Sequence, residues 1–312
     1  MSLRQSIETD FRRRVGTSRF LRQYDLEGMI LIAPVITVFV LVTVIPVGYG
    51  IWLSFHTGRG AADLAWAGAS NYQGLVQSGP FFDSIWVGLY YAVYSVAIQV
   101  VLGVLIALAL NNFTRFSSVI RAIVFVPYMI PTVAIAVVFK MMLNTDIGII
   151  NWLLMQAGLI ESGINFLGLD WAMHTVVWAS AWKWTIFVVI LVLARLQSID
   201  QNLYEMAKTN GASTFRQFLD VTYPNIKSVL FLVILLRSIW MFNKFDMIWL
   251  LTQGGPLGDT TTMVILAYRR GFGEFNFGTA SAITTIMFLM LFVFGIYYFR
   301  TFRPEDEVEV RQ

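Results

Sequence analysis

Polar and aromatic residues crowd together at three places in an otherwise apolar sequence. Tyr128 and Thr132 flank Pro131, with Pro127 just before them. Trp178, Trp182, Lys183 and Phe187 fall within ten residues, and Arg237, Trp240, Asn243, Lys244 and Asp246 within another ten. Ionisable side chains inside long apolar runs are costly in lipid, and by default they mark a solute or ion pathway. Aromatic faces suit the apolar faces of sugar rings, and a few donors and acceptors serve the hydroxyls. Two prolines four residues apart free backbone groups that a neighbour, water or a solute must satisfy. Other chemistries find no residues. The chain has no Cys, so it offers no disulfide or thiolate site. His56 and His174 stand alone, without the clustered acids that a zinc or Ser/His/Asp site needs. No Gly-x-x-x-x-Gly-Lys-Ser/Thr stretch occurs, so there is no phosphate-cradling loop for ATP. No catalytic residue, metal or cofactor is expected.

The elements that position these residues follow from composition. Of 312 residues, 57% are hydrophobic and 13% charged, and the mean hydropathy is +0.67. Soluble domains carry roughly 25% charged residues. A chain so poor in charge spends much of its length in lipid. Six stretches are long and apolar enough to cross: Gly28–Phe55, Ser84–Leu110, Val119–Leu143, Trp171–Ala194, Ile226–Leu251 and Thr279–Phe299. Fifteen Lys and Arg lie in one set of flanks and three in the other. Positive charge stays inside, so both termini and the loop Gln197–Asn225 are expected in the cytoplasm. The net charge of +3 is too small to imply nucleic acid. The expected organisation is a cytoplasmic segment 1–27, one six-span membrane domain 28–300 and a cytoplasmic tail 301–312. In the outer loop Asn144–Asp170, the apolar piece Gly148–Ile160 reads as a short helix at the interface, with Trp152 suited to that place.

Helical geometry sorts the intramembrane residues. Tyr128 and Thr132 are one turn apart and are expected on one face. In the fifth span, Trp240 and Lys244 lie within about 40° of each other with Asn243 adjacent. Asp246 lies about 200° from Lys244 on a continuous helix, which excludes the two from one cavity and points Asp246 at another helix or a partner chain. Arg237 is expected to be structural.

Gln197–Asn225 is long for a loop in a helical bundle. Asp200 suits a helix N-cap near Asn202. Leu203, Ala207, Gly211 and Phe215 recur near helical spacing, and Gly211 and Pro224 are expected to break or end helices. Two short helices with a turn at Gly211 would present a surface to a cytoplasmic partner.

These residues resemble a known motif. Glu205-Met206-Ala207, Gly211 after three residues, and Val221-Thr222-Tyr223-Pro224 match the cytoplasmic loop of binding-protein-dependent ABC importers, with Met206, Val221 and Tyr223 as departures. Leu251-Thr252-Gln253-Gly254-Gly255-Pro256 resembles the Thr-x-Gly-Gly-Pro segment of sugar-type permeases of the maltose-permease-like, first-subunit branch. Val126-Pro127-Tyr128 with Pro131 resembles their double-proline break. The resemblance covers about Ser84 to Arg300.

It implies an all-α membrane protein of six transmembrane helices with the type I ABC importer permease fold, in the inner membrane of a prokaryote. Glu205, Met206, Ala207, Gly211 and Pro224 would couple to an ABC ATPase dimer. A second homologous permease would complete the pathway, and an extracytoplasmic solute-binding protein would dock on the outer face. The sugar-contacting positions of maltose-type permeases fall on Tyr128, Thr132, Trp182, Lys183, Phe187, Trp240, Asn243 and Lys244. Those permeases have two Asn where this chain has Asn243-Lys244. Two lysines at contact positions would favour an acidic, phosphorylated or sulfonated sugar held by charge-assisted hydrogen bonds. The alternatives are a permease for glycerol phosphate, a polyol or an amino acid, and an ion-coupled secondary transporter, which would want inverted repeats and more intramembrane acids.

Overall fold

A computed structural model describes residues 28, 31–58, 63–112 and 117–302. The segment 1–27 and most of the tail 301–312 lie outside the described residues. Five helices are long and apolar enough to cross a membrane: α1 (Leu31–Leu53), α3 (Gly79–Asn112), α7 (Ala172–Gln197), α9 (Thr214–Phe242) and α12 (Phe277–Phe302). A sixth crossing needs α4 (Ser117–Met129) and α5 (Thr132–Met142) taken together, and these are bent by 99°.

Packing radiates from α7. It is buried on nearly every side, which suits a helix apolar all round. Along α3, Gly88, Tyr91, Ala92, Ser95, Val96, Gln99, Gly103, Ala107 and Leu110 recur every three or four residues, and this stripe faces α7 and α9. Gly103 lets the two backbones close, with Val188 of α7 directly opposite. The first span, α1, is exposed along its length and touches α12 and a small hairpin that pairs His56 with Trp66 (β1, His56–Thr57; β2, Ala65–Trp66). A short helix α2 (Ser70–Val76) follows, and Asn71 ties it back by donating to the His56 and Ser54 carbonyls.

The outer loop 144–170 contains α6 (Ile149–Gln156), as its apolar run predicts, with Trp152 exposed. Buried Asn151 staples the loop, donating to the Ile164 and Asn144 carbonyls and accepting from Ile164 N–H.

Three local expectations are corrected. The fifth span is not one helix. α9 ends at Phe242 and α10 (Asp246–Thr252) starts afresh. Counting 100° per residue fails across that break, and Asp246 Oδ1 lies 3.0 Å from Lys244 Nζ. Tyr128 and Thr132 do not share a helical face, because Pro131 has no N–H to continue α4 and instead precedes α5 in an extended conformation (ψ 140°). Pro224 does not end a helix. The helical run from Thr214 to Phe242 passes through it, with a π-turn at Phe218–Thr222 and Pro224 at the start of the α-helical stretch that follows. The wider turn and the first-turn position make its missing N–H harmless.

After α10 the chain turns at Gln253 (φ 53°) and Gly254 (φ 87°). It re-enters the core as α11 (Met263–Tyr268), nearly all buried. The outer halves α5 and α10 pack on each other, while α4 packs on α7 and α9 on α3 and α7. Both breaks therefore fall in the same layer.

Candidate functional site

Between the two breaks, side chains gather round Trp184 of α7. Tyr128 of α4 meets it edge-on, with ring centres 5.8 Å apart. Lys244 Nζ stands 3.9 Å over the ring, Lys183 Nζ at 5.1 Å, and the Arg237 guanidinium carbon at 5.6 Å. Arg237 also lies 5.7 Å from Trp240 and 5.8 Å from Phe187, whose rings are 5.0 Å apart. Cations over indole faces are held by the ring quadrupole, more strongly where water is excluded. The indole Nε1 of Trp184 is buried and has no hydrogen-bond partner among the described residues. A buried indole N–H ordinarily finds one.

Each cation has a distinct task. Lys183 is 2% exposed, and its ammonium donates to the Ile130 carbonyl at 2.6 Å and the Pro127 carbonyl at 3.4 Å. Pro131 cannot donate back to Pro127, so Lys183 fills the gap the proline opens. Lys244 pairs with Asp246 across the second break. Arg237, also 2% exposed, donates to Gln99 Oε1 at 2.7 Å and to the Met241 sulfur at 3.6 Å, with no carboxylate partner among the described residues. Beside it Tyr91 donates to Ser180 Oγ.

Of the eight expected contact residues, Tyr128, Lys183, Phe187, Trp240 and Lys244 come together here. Thr132 sits half-buried at the start of α5. Trp182 points elsewhere and meets Phe139 of α5 at 5.6 Å. Asn243 is exposed, donates to the Ile239 carbonyl, and lines a cleft of about 740 Å³ between α9 and α12. Sequence reasoning missed Trp184 and Gln99. Trp182 and Trp184 are about 200° apart on one helix, and only packing shows which face looks toward the breaks.

Lys183→Met is expected to lower the melting temperature in detergent by several degrees, because two carbonyls lose a charged donor at a cost of about 1–3 kcal/mol. Lys183→Arg keeps donors and should recover most of it. A Met variant as stable as the parent would rule out the capping role.

The loop Gln197–Asn225 forms a second candidate site. Asp200 caps α8 (Gln201–Thr209) by accepting from Asn202 N–H at 2.9 Å. Gly211 closes it in the left-handed conformation (φ 77°). Its N–H bonds the Lys208 carbonyl and that of Ala212 the Ala207 carbonyl, which is a Schellman closure. Tyr204 OH meets Thr222 Oγ1 at 3.0 Å and pins α8 to the start of α9. Glu205, Met206 and Pro224 are exposed and Ala207 is half-buried. Leu203, Met206 and Phe215 add exposed apolar surface, the mark of a protein-docking face.

Comparison with known proteins agrees with this architecture. Residues 99–303 match the family described as binding-protein-dependent transport system inner membrane component. The chain is 35% identical to the trehalose/maltose transport system permease protein MalF of Thermococcus litoralis, over 92% of this chain and 97% of that one. It is 30% identical to the lactose transport system permease protein LacF of Rhizobium radiobacter, over 90% and 96%. In fold it is similar to a chain of a bacterial ABC transporter involved in import of the acidic polysaccharide alginate, with a TM-score of 0.79 at 24% identity over 92% of this chain and 97% of that one. A helical chain with five or six potential membrane crossings and this family match is an inner-membrane transport component rather than an enzyme: it belongs to the binding-protein-dependent ABC importer permeases.

Proposed function

We propose that the chain is one half of the permease pair of an ATP-driven sugar importer. The observation that carries this reading is the exposed loop Glu205–Pro224, which displays Glu205 and Met206 on a helix closed at Gly211 and Phe215 at the start of the next. A separate ABC ATPase dimer would dock there, since no phosphate-binding loop exists in this chain. Close full-length relatives named for trehalose, maltose and lactose support the sugar class. A second permease would complete the pathway, and an extracytoplasmic binding protein would deliver solute to the outer loops. Residues 28–300 form one membrane domain in this reading, with 1–27 and 301–312 in the cytoplasm.

The cluster round Trp184 is the solute site. Tyr128, Phe187 and Trp240 supply faces for sugar rings, while Trp184 Nε1–H and Lys244 supply polar contacts. Lys183 shapes the site by holding the α4–α5 break. Trp182 and Asn243, which face Phe139 and the α9–α12 cleft, and Thr132 at the start of α5 lie outside the cluster. Alternating access would open this layer outward, then inward, as ATPase closure displaces α8.

A second reading, an acidic sugar, is favoured by charge. Lys183, Arg237 and Lys244 surround the site with Asp246 as the sole described carboxylate paired among them. An anionic solute would relieve that excess.

The test begins with the tagged chain purified from cells expressing its native operon, with co-purifying proteins identified by mass spectrometry. An ATPase and a second permease are expected. In proteoliposomes, uptake should need ATP. Trehalose, maltose and lactose are compared with a uronic-acid disaccharide. If the acid is carried, Lys244→Met should reduce its uptake roughly tenfold or more and leave neutral-sugar uptake within about threefold. Uptake by the chain alone without ATP would replace this reading with a secondary transporter.

A further inference from the structure

On the outer side of the Trp184 site lies a second cleft, of about 690 Å³, between α3 and the start of α7. Its volume is within the range of small-molecule sites, roughly 300–1,000 Å³. Trp86, Tyr90 and Tyr94 of α3 form one wall. The Tyr90 and Tyr94 ring centres lie 4.3 Å apart with their planes tilted by 35°, and Trp86 and Tyr94 are exposed. His174 Nδ1 lies 3.1 Å from Tyr90 OH and fixes both rings. Asp170, and Asp259 from the loop that follows the Gly-Gly-Pro turn, complete the rim. Neither carboxylate is ion-paired among the described residues.

The composition selects the occupant. A groove for acyl chains has no use for two carboxylates and an imidazole, which are expensive beside hydrocarbon. Aromatic faces with acceptors at their edges match a ring that is apolar on its C–H faces and bears hydroxyls round its rim.

Resting on the sugar reading above, we propose that this cleft is an outer carbohydrate subsite. It holds a sugar ring against Trp86, Tyr90 and Tyr94, with Asp170 and Asp259 accepting from its hydroxyls, before the solute moves on to the Trp184 site.

The experiment uses the assembled importer in nanodiscs, trapped outward, and a maltotriose carrying a photoreactive diazirine, with labelled peptides mapped by mass spectrometry. Label is expected on 86–94 and 170–178 as well as near Trp184 and Trp240. Unlabelled maltotriose should compete it away, and added phospholipid should not. Tyr94→Ala combined with Asp170→Asn should cut labelling of the cleft about tenfold and leave inner-site labelling within about twofold. Label confined to the inner site would overturn the subsite and leave the sugar importer standing. Cleft label that phospholipid displaces or unlabelled sugar does not compete would also overturn it. No competable label anywhere would remove the sugar reading and the subsite together.

Discussion

Gly103→Leu is expected to abolish accumulation of the folded chain, and Gly103→Ala to lower its melting temperature by on the order of 5–10 °C. A Cβ at position 103 would stand 2.6 Å from both Cβ and Cγ1 of Val188. Real Cβ contacts are not that short, and Val188 is fully buried on the most enclosed helix of the bundle. Its clashing atoms are close to the backbone, so no rotamer swing relieves them. Relief needs α3 and α7 to separate, and both hydrophobic clusters depend on their contact. Overpacking in tight cores costs about 1–3 kcal/mol even for small intrusions. Val188→Gly should restore part of the loss in the Gly103→Ala background, less about 1 kcal/mol for glycine in a helix. Melting curves of the four proteins in one detergent give the comparison. A Gly103→Leu protein that melts with the parent would show that α3 and α7 are not packed as described.

The second large effect falls on the coupling role proposed for the loop. Gly211 adopts φ 77°, and a Cβ there would touch nothing. The demand is purely conformational. A left-handed residue other than glycine costs about 1–2 kcal/mol, less for Asn and more for β-branched residues. With 1.4 kcal/mol per tenfold, Gly211→Val should reduce ATP-driven uptake roughly ten- to a hundredfold while the membrane bundle stays folded. Gly211→Asn should keep most of the activity, with Ala between them. The ordering separates backbone conformation from space. In an open site, a steric explanation predicts that Asn, the larger side chain, does worse than Ala. Uptake and melting temperature are measured on the same preparations. Equal uptake by the Val and Asn variants would remove Gly211 from the coupling step.

The residues that build the loop Gln197–Asn225 are close in sequence, and its local structure was legible for that reason. Asp200 as a cap and Gly211 as a helix stop act within five residues of their partners, so local rules suffice. The membrane spans were legible too, because lipid demands about 20 apolar residues whatever the fold. The proline break in the third span was visible from Pro127 and Pro131, though its 99° bend was not. Pro224 shows the limit of a breaker rule: a π-turn just before it lets the helix run on.

What tertiary structure alone decided was which groups meet. No proline or glycine announces the break at Asn243–Phe245, and with the helix assumed continuous Asp246 was placed across from Lys244 rather than beside it. Trp182 and Trp184 have equal claims in the sequence; only the packing of α4, α9 and the Lys183 cap selects Trp184 as the centre. The outer cleft joins Tyr90 to His174 across 84 residues, and no periodicity reveals that. The sequence by itself determined the class of element, its solvent and its local stops, because those depend on neighbours along the chain. The identity of the pocket depended on where separate helices break and how closely glycines let them approach, and that is settled only when all the helices pack together.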